Sequence, residues 1–129
     1  MRLTTSAAGI YSRSSDWSPD GEFLAFESNR DGVSALYSIT KMGLNPTRIT
    51  HMSGYSGHPA WSPDGDEIVF ESTLTGISEI YTVPAVGGEE FKVTDNGGYW
   101  PDYSPDGSKV VYCSYGASEP NLWDVVADW

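Results

Sequence analysis

The chain of 129 residues has one cysteine, Cys113. A single thiol excludes an internal disulfide framework and a cysteine-based zinc site. Among strand-forming neighbours it reads as a buried, inert side chain. Basic residues are also scarce: seven scattered Lys and Arg stand against 18 acidic residues, for a formal net charge of −11. A surface of that sign repels phosphate, so neither nucleic acid nor an anionic membrane surface is expected as a partner. No apolar run approaches the roughly 20 residues of a membrane helix. Met1 to Thr5 lacks the charged-then-apolar pattern of a secretory signal, so the expected compartment is the cytoplasm, or the periplasm if a leader has been removed. A helical period is missing too, because glycine and proline interrupt every candidate window.

What the chain does contain is a tetrapeptide, Ser-Pro-Asp-Gly, three times over. It begins at Ser18, Ser62 and Ser104, at spacings of 44 and 42 residues. An aromatic residue precedes each copy (Trp17, Trp61, Tyr103), and an apolar run follows each: Phe23 to Phe26, Ile68 to Phe70, Val110 to Tyr112. Proline presets the second position of a type I turn, aspartate suits the third, and glycine takes the left-handed position that closes a bulged hairpin. Each copy therefore predicts a tight link between two antiparallel strands. A third strand follows at Ala35 to Ile39, Glu79 to Val83 and Asn121 to Val125. A short fourth strand is expected at Arg48-Ile49-Thr50 and Lys92-Val93-Thr94, and Arg2-Leu3-Thr4 has the same pattern.

Four short strands in about 40–45 residues make a propeller blade. The order aromatic-Ser-Pro-Asp-Gly, apolar strand, Ser-Asn-Arg-Asp-Gly at Ser28 to Gly32, Leu-Tyr, then Arg-Ile-Thr resembles the WD-repeat-like blades of TolB-type propellers. The third repeat departs most, with Tyr103 in place of tryptophan and no Arg-Asp-Gly in its second loop. The fold class expected is all-β, with blades at 11–50, 55–94 and 99–126 and a spare outer strand at 2–4. The resemblance is specific for the fold. It leaves function open, because such blades occur in translocation proteins, peptidase gating domains and sugar-acting enzymes.

Three blades do not close a ring, and propellers run to roughly 4–8 blades. The third-to-fourth-strand interval that ends at Ile49 and at Val93 would, counted from Trp123, end past Trp129. The third blade thus lacks an outer strand, while Arg2, Leu3 and Thr4 form one with no blade before it. The expectation is a homodimer forming one six-bladed ring. In it, Arg2, Leu3 and Thr4 of each copy complete the third blade of the other, against Leu122, Trp123 and Val125. The alternative is that the chain is a portion of a longer six-bladed protein.

No catalytic constellation, cofactor motif or metal-ligand spacing is present. Asp20, Asp64 and Asp106 are accounted for by their turns, and no serine sits in Gly-x-Ser-x-Gly. In TolB-like propellers the first strand lines the channel, which implies that Asp16 and Asp102 are channel carboxylates. The loops at one mouth carry Tyr11, Arg30, Tyr55, His58, Tyr99 and Trp100, residue types that dominate contact energy at binding sites. Of these, Arg30, Tyr55 and Trp100 are expected to be exposed. The reading is a non-enzymatic binding or scaffold module offering an acidic, aromatic mouth to a protein segment or small ligand. Two alternatives are a propeller enzyme acting on a sugar or peptide through a channel metal near His58, and a structural half propeller whose main property is self-assembly.

Overall fold

The computed structural model describes residues 7–114 and the backbone of residues 123–126. The spare strand at Arg2, Leu3 and Thr4, and Leu122 with it, lie outside the described residues, and of Trp123 and Val125 only the backbone is described. The first sheet runs in the order β1 (Ser12–Trp17), β2 (Phe23–Ser28), β3 (Ala35–Thr40) and β4 (Thr47–Arg48). The second is β5 (Ser56–Trp61), β6 (Glu67–Ser72), β7 (Glu79–Pro84) and β8 (Phe91–Lys92). The third is β9 (Tyr99–Tyr103), β10 (Val110–Cys113) and β11 (Trp123–Val126). Every pairing is antiparallel.

The Ser-Pro-Asp-Gly turns form as their chemistry requires. Gly21, Gly65 and Gly107 adopt φ of 72°, 79° and 74°, a region that costs glycine nothing. Each donates its N–H back to the serine carbonyl, at 2.8–2.9 Å. The aspartate accepts from the serine hydroxyl at 2.6 Å in all three copies and from the backbone N–H two residues on. Those donors hold the Asp20 and Asp64 carboxyls below the usual range and pull Asp106 down to about 2.

The fourth strands begin one residue earlier and end two residues earlier than the sequence suggests. Thr47–Arg48 and Phe91–Lys92 pair with the third strand, whereas Thr50 and Thr94 leave the ladder. The reason is that the threonine side chain takes over from the backbone: Leu36 N–H donates to Thr50 Oγ1, and Ile80 N–H to Thr94 Oγ1, each at 2.9 Å. The last residue of the Arg/Lys-x-Thr pattern is thus a cap on the third strand.

The sheets pack face to face in chain order. Ala25, Leu36 and Ile49 of the first meet Ile68, Phe70, Tyr81 and Val83 of the second. Ala60, Val69 and Ile80 of the second meet Tyr103 and Val110 of the third. β1 lies beside β5 and β5 beside β9, so the three first strands share one side of the molecule.

Candidate functional site

Each first strand carries one extra residue. Between Arg13 and Asp16, between Gly57 and Ala60, and between Tyr99 and Asp102, three residues are spanned while the partner strand advances two. The extra residue bends the strand and re-aims its side chains, as β-bulges do. Its first position holds Ser14, His58 and Trp100, with φ of 48°, 49° and 55°. These are left-handed conformations that ordinary side chains seldom adopt. One backbone frame therefore presents three different side chains toward the shared side. Together with Asp16, Pro59, Ala60 and Asp102, they line a cavity of about 300 Å³.

The bulges are anchored by acids buried at the end of the neighbouring second strand. Glu27 is fully buried; its Oε2 accepts from His58 N–H at 3.3 Å and from Tyr55 Oη at 3.1 Å, and its Oε1 pairs with Arg13 Nε at 2.6 Å. In the next blade Glu71 Oε2 accepts from Trp100 N–H at 2.6 Å, and Glu71 Oε1 meets His58 Nδ1 at 3.0 Å. Burying carboxylates is tolerable here because each is supplied with several donors. Burial first, then the Glu27 charge, pushes the Tyr55 hydroxyl far up, so it stays a neutral donor. Cys113 occupies the same position in the third blade, and burial raises its thiol too.

Glu27 and Glu71 were not singled out from the sequence. Their one signal is a Glu-Ser pair that closes two apolar strands and becomes Cys-Ser in the third.

Of the expected mouth residues, Trp100 is 52% exposed, with Tyr99 edge-on at 5.3 Å and the His58 ring at 5.9 Å. Tyr11 is half-buried beneath the Arg13 guanidinium, 4.6 Å from its ring centroid. Two expectations of exposure are corrected. Arg30 lies over the stacked rings of Phe26 and Tyr37, at 5.1 and 4.8 Å, because its planar guanidinium gains more there than in water. Tyr55 is half-buried with its hydroxyl turned in to Glu27 and 3.3 Å from His58 Nδ1, so it supports the site from beneath.

The channel carboxylates are partly committed. Asp16 Oδ2 accepts from Trp61 N–H, at 2.8 Å across the blade boundary. The next blade has Ala60 at this position, so Tyr103 N–H is served by its own neighbour, Asp102 Oδ1, at 2.8 Å. Burial is the largest influence on the Asp16 carboxyl and raises it; Asp102 adds to the rise and the Trp61 N–H opposes it. A carboxyl raised in the folded state stabilises the fold at low pH and loses that contribution as pH rises through its folded value. Asp16→Asn keeps an acceptor and removes the charge. Urea unfolding should find the variant equal to wild type below about pH 4, and as stable or slightly more so at about pH 7. A clear loss at neutral pH would show the charge itself to be needed.

Comparison with known families matches residues 2–127 to the TolB beta-propeller domain. The chain belongs to that family. Solved members and look-alikes agree with the assignment. A TolB-type protein of Agrobacterium tumefaciens is 35% identical, with a TM-score of 0.78 over 95% of this chain and 46% of that one. TolB of Acinetobacter baumannii is 20% identical, with a TM-score of 0.77 over 96% of this chain and 34% of that one. An oligogalacturonate lyase solved with manganese is 19% identical, with a TM-score of 0.76 over 99% of this chain and 38% of that one; it shares the fold. The chain therefore spans less than half the length of these proteins. A comparison with curated proteins found no match.

Proposed function

We propose that this TolB-family chain is a non-enzymatic binding module. It closes into a six-bladed ring with a second copy and presents the Trp100 mouth to a basic protein segment or small cationic ligand. The observation that carries the reading is Trp100. A large aromatic side chain, half exposed and held in a left-handed bulge, stands at a concave site that also holds Asp16 and Asp102. An aromatic face beside carboxylates suits a cation, and the net charge of −11 draws one in.

Ring closure is supported by what the outer blades leave open. Trp17 is 48% exposed, although Trp61 and Tyr103 at the same position pack into the two blade contacts. Val111 is half-buried, whereas its counterparts Ala25 and Val69 are fully buried. The exchange of Arg2, Leu3 and Thr4 rests on the strand count in the sequence.

One preparation tests both parts. Light scattering at micromolar concentration should give twice the 14.0 kDa chain mass, and deleting Met1 to Thr5 should reduce it to one. A 14.0 kDa particle for the intact chain overturns the ring. Panning a displayed library of unstructured peptides should enrich Lys- and Arg-bearing sequences, and Trp100→Ala should weaken them at least about tenfold. No enrichment, or enrichment indifferent to Trp100→Ala, leaves the structural half propeller as the better reading.

The second reading, a propeller enzyme with a channel metal, draws support from the His58–Glu71 pair, which orients the imidazole as catalytic and metal-binding histidines are oriented. Among the described residues, however, no three His, Cys, Asp or Glu side chains gather as a metal set. The described residues therefore do not fit the metal.

A further inference from the structure

Each blade contact carries a pair of side chains at the turn end, away from Trp100. One member is the aromatic residue that ends a first strand: Trp17, Trp61 or Tyr103. The other comes from the blade before it, where Phe23, Glu67 and Lys109 hold equivalent places just after the turn. Where the second blade meets the third, Tyr103 Oη donates to Glu67 Oε1 at 2.6 Å. Where the first meets the second, Phe23 and Trp61 line one cleft. The equivalent positions thus face each other in both contacts, once as donor and acceptor and once as two apolar rings. Trp17 of the first blade and Lys109 of the third are the members left without an opposite among the described residues, and both are exposed. Lys109 also differs from the other lysines. Lys41 pairs with Glu22 at 2.6 Å and Lys92 with Asp95 at 3.0 Å, whereas Lys109 makes no ion pair among the described residues.

We propose that Lys109 seats Trp17 of a second copy, its ammonium lying on the indole face when two chains close into one ring. This rests on the ring closure proposed above and adds the pair that selects the partner blade. Tryptophan is the aromatic that holds a cation best, and the lysine stem covers apolar indole surface while its charge stays wet. Each copy gives Lys109 to one closing contact and Trp17 to the other, so a two-fold ring holds the pair twice. The match also favours the third blade against the first. Set against Glu67, Trp17 would bring a carboxylate to the negative face of its ring.

The dissociation constant of the dimer, from sedimentation equilibrium of the full chain, reads the pair. Lys109→Gln should weaken the dimer roughly tenfold, since two copies of the contact are lost. Lys109→Arg should hold it near wild type. Lys92→Gln removes the same charge from the middle blade, outside the closing contact, and should leave the dimer unchanged. Trp17→Leu should weaken it at least as much as Lys109→Gln, and the second change should then add little. Within one chain the second blade lies between the first and the third, so this coupling runs between copies. Should Trp17→Leu not fold, the contrast among Lys109→Gln, Lys109→Arg and Lys92→Gln decides alone. A dimer that ignores Lys109→Gln, or that weakens equally with Lys92→Gln, overturns the pair and leaves the ring standing. Losses that simply add in the double variant do the same. A chain that stays at 14.0 kDa overturns both.

Discussion

Glu27→Ala should lower the unfolding free energy by about 3 kcal/mol, read from urea denaturation of the purified chain. The carboxylate is fully buried and takes three donors: Arg13 Nε, Tyr55 Oη and the His58 N–H. They are not equal. The Arg13 side chain is 58% exposed and returns to water when its partner is removed. Its own truncation, Arg13→Ala, removes the guanidinium but leaves the buried Glu27 Oε1 without its charged partner, and should cost about 1–3 kcal/mol. Tyr55 Oη is only partly accessible, and the His58 N–H sits inside the bulge. Each would be left unmade at roughly 1–3 kcal/mol. Glu27→Gln keeps one carbonyl acceptor at nearly the same volume and should lose about half as much. A Glu27→Ala cost below about 1 kcal/mol would show that the bulge is held by other means.

Gly57→Ala should be comparably damaging, at about 3 kcal/mol, although the repeat pattern suggests it should be harmless. Gly57 pairs with Glu71 as Arg13 pairs with Glu27 and Tyr99 with Cys113, so large side chains occupy this position in the other two blades. In the second blade the space is already taken. A Cβ on Gly57 would overlap Tyr55 Oη and Glu27 Oε2. The clash is with side chains that are themselves hydrogen-bonded, so relief must break the Tyr55–Glu27 contact. This gives the prediction a sign test. Tyr55→Leu alone should destabilise the chain, whereas in the Gly57→Ala background it should recover part of the loss by removing the end of the ring. Residues in one network couple in this way. Independent, additive losses would mean that Gly57 is needed for some reason other than the room it leaves.

The parts of the fold that were legible in the sequence are the ones set by local chemistry. The Ser-Pro-Asp-Gly turns carry their whole explanation within a few residues, and the apolar strands that follow read directly as buried. The fourth strands end two residues earlier than the pattern suggests because Thr50 and Thr94 use a side-chain oxygen where a backbone oxygen was expected. The site was less legible. A bulge breaks the period of two on which strand reading depends, so the common position of Ser14, His58 and Trp100 was visible by counting, but its left-handed backbone was not. Arg30 looked like a loop cation until Phe26 and Tyr37, from two different strands, were brought together beneath it. Tyr55 looked like a rim aromatic, because nothing local says that a glycine two residues on leaves a hole for its hydroxyl. Nothing local in the sequence marks Glu27 and Glu71, because an acid at a strand end normally faces water and their main-chain donors come from the following blade.

The bulges at His58 and Trp100 are fastened through main-chain N–H groups, each held by a glutamate of the blade before. A main-chain fastening does not depend on which side chain follows it. Mutation can therefore exchange what stands at these positions while the strand keeps its bend, as the unlike residues already there illustrate. Specificity in this fold can drift quickly over a scaffold that drifts slowly, and a designer can treat positions 58 and 100 as sockets to be filled.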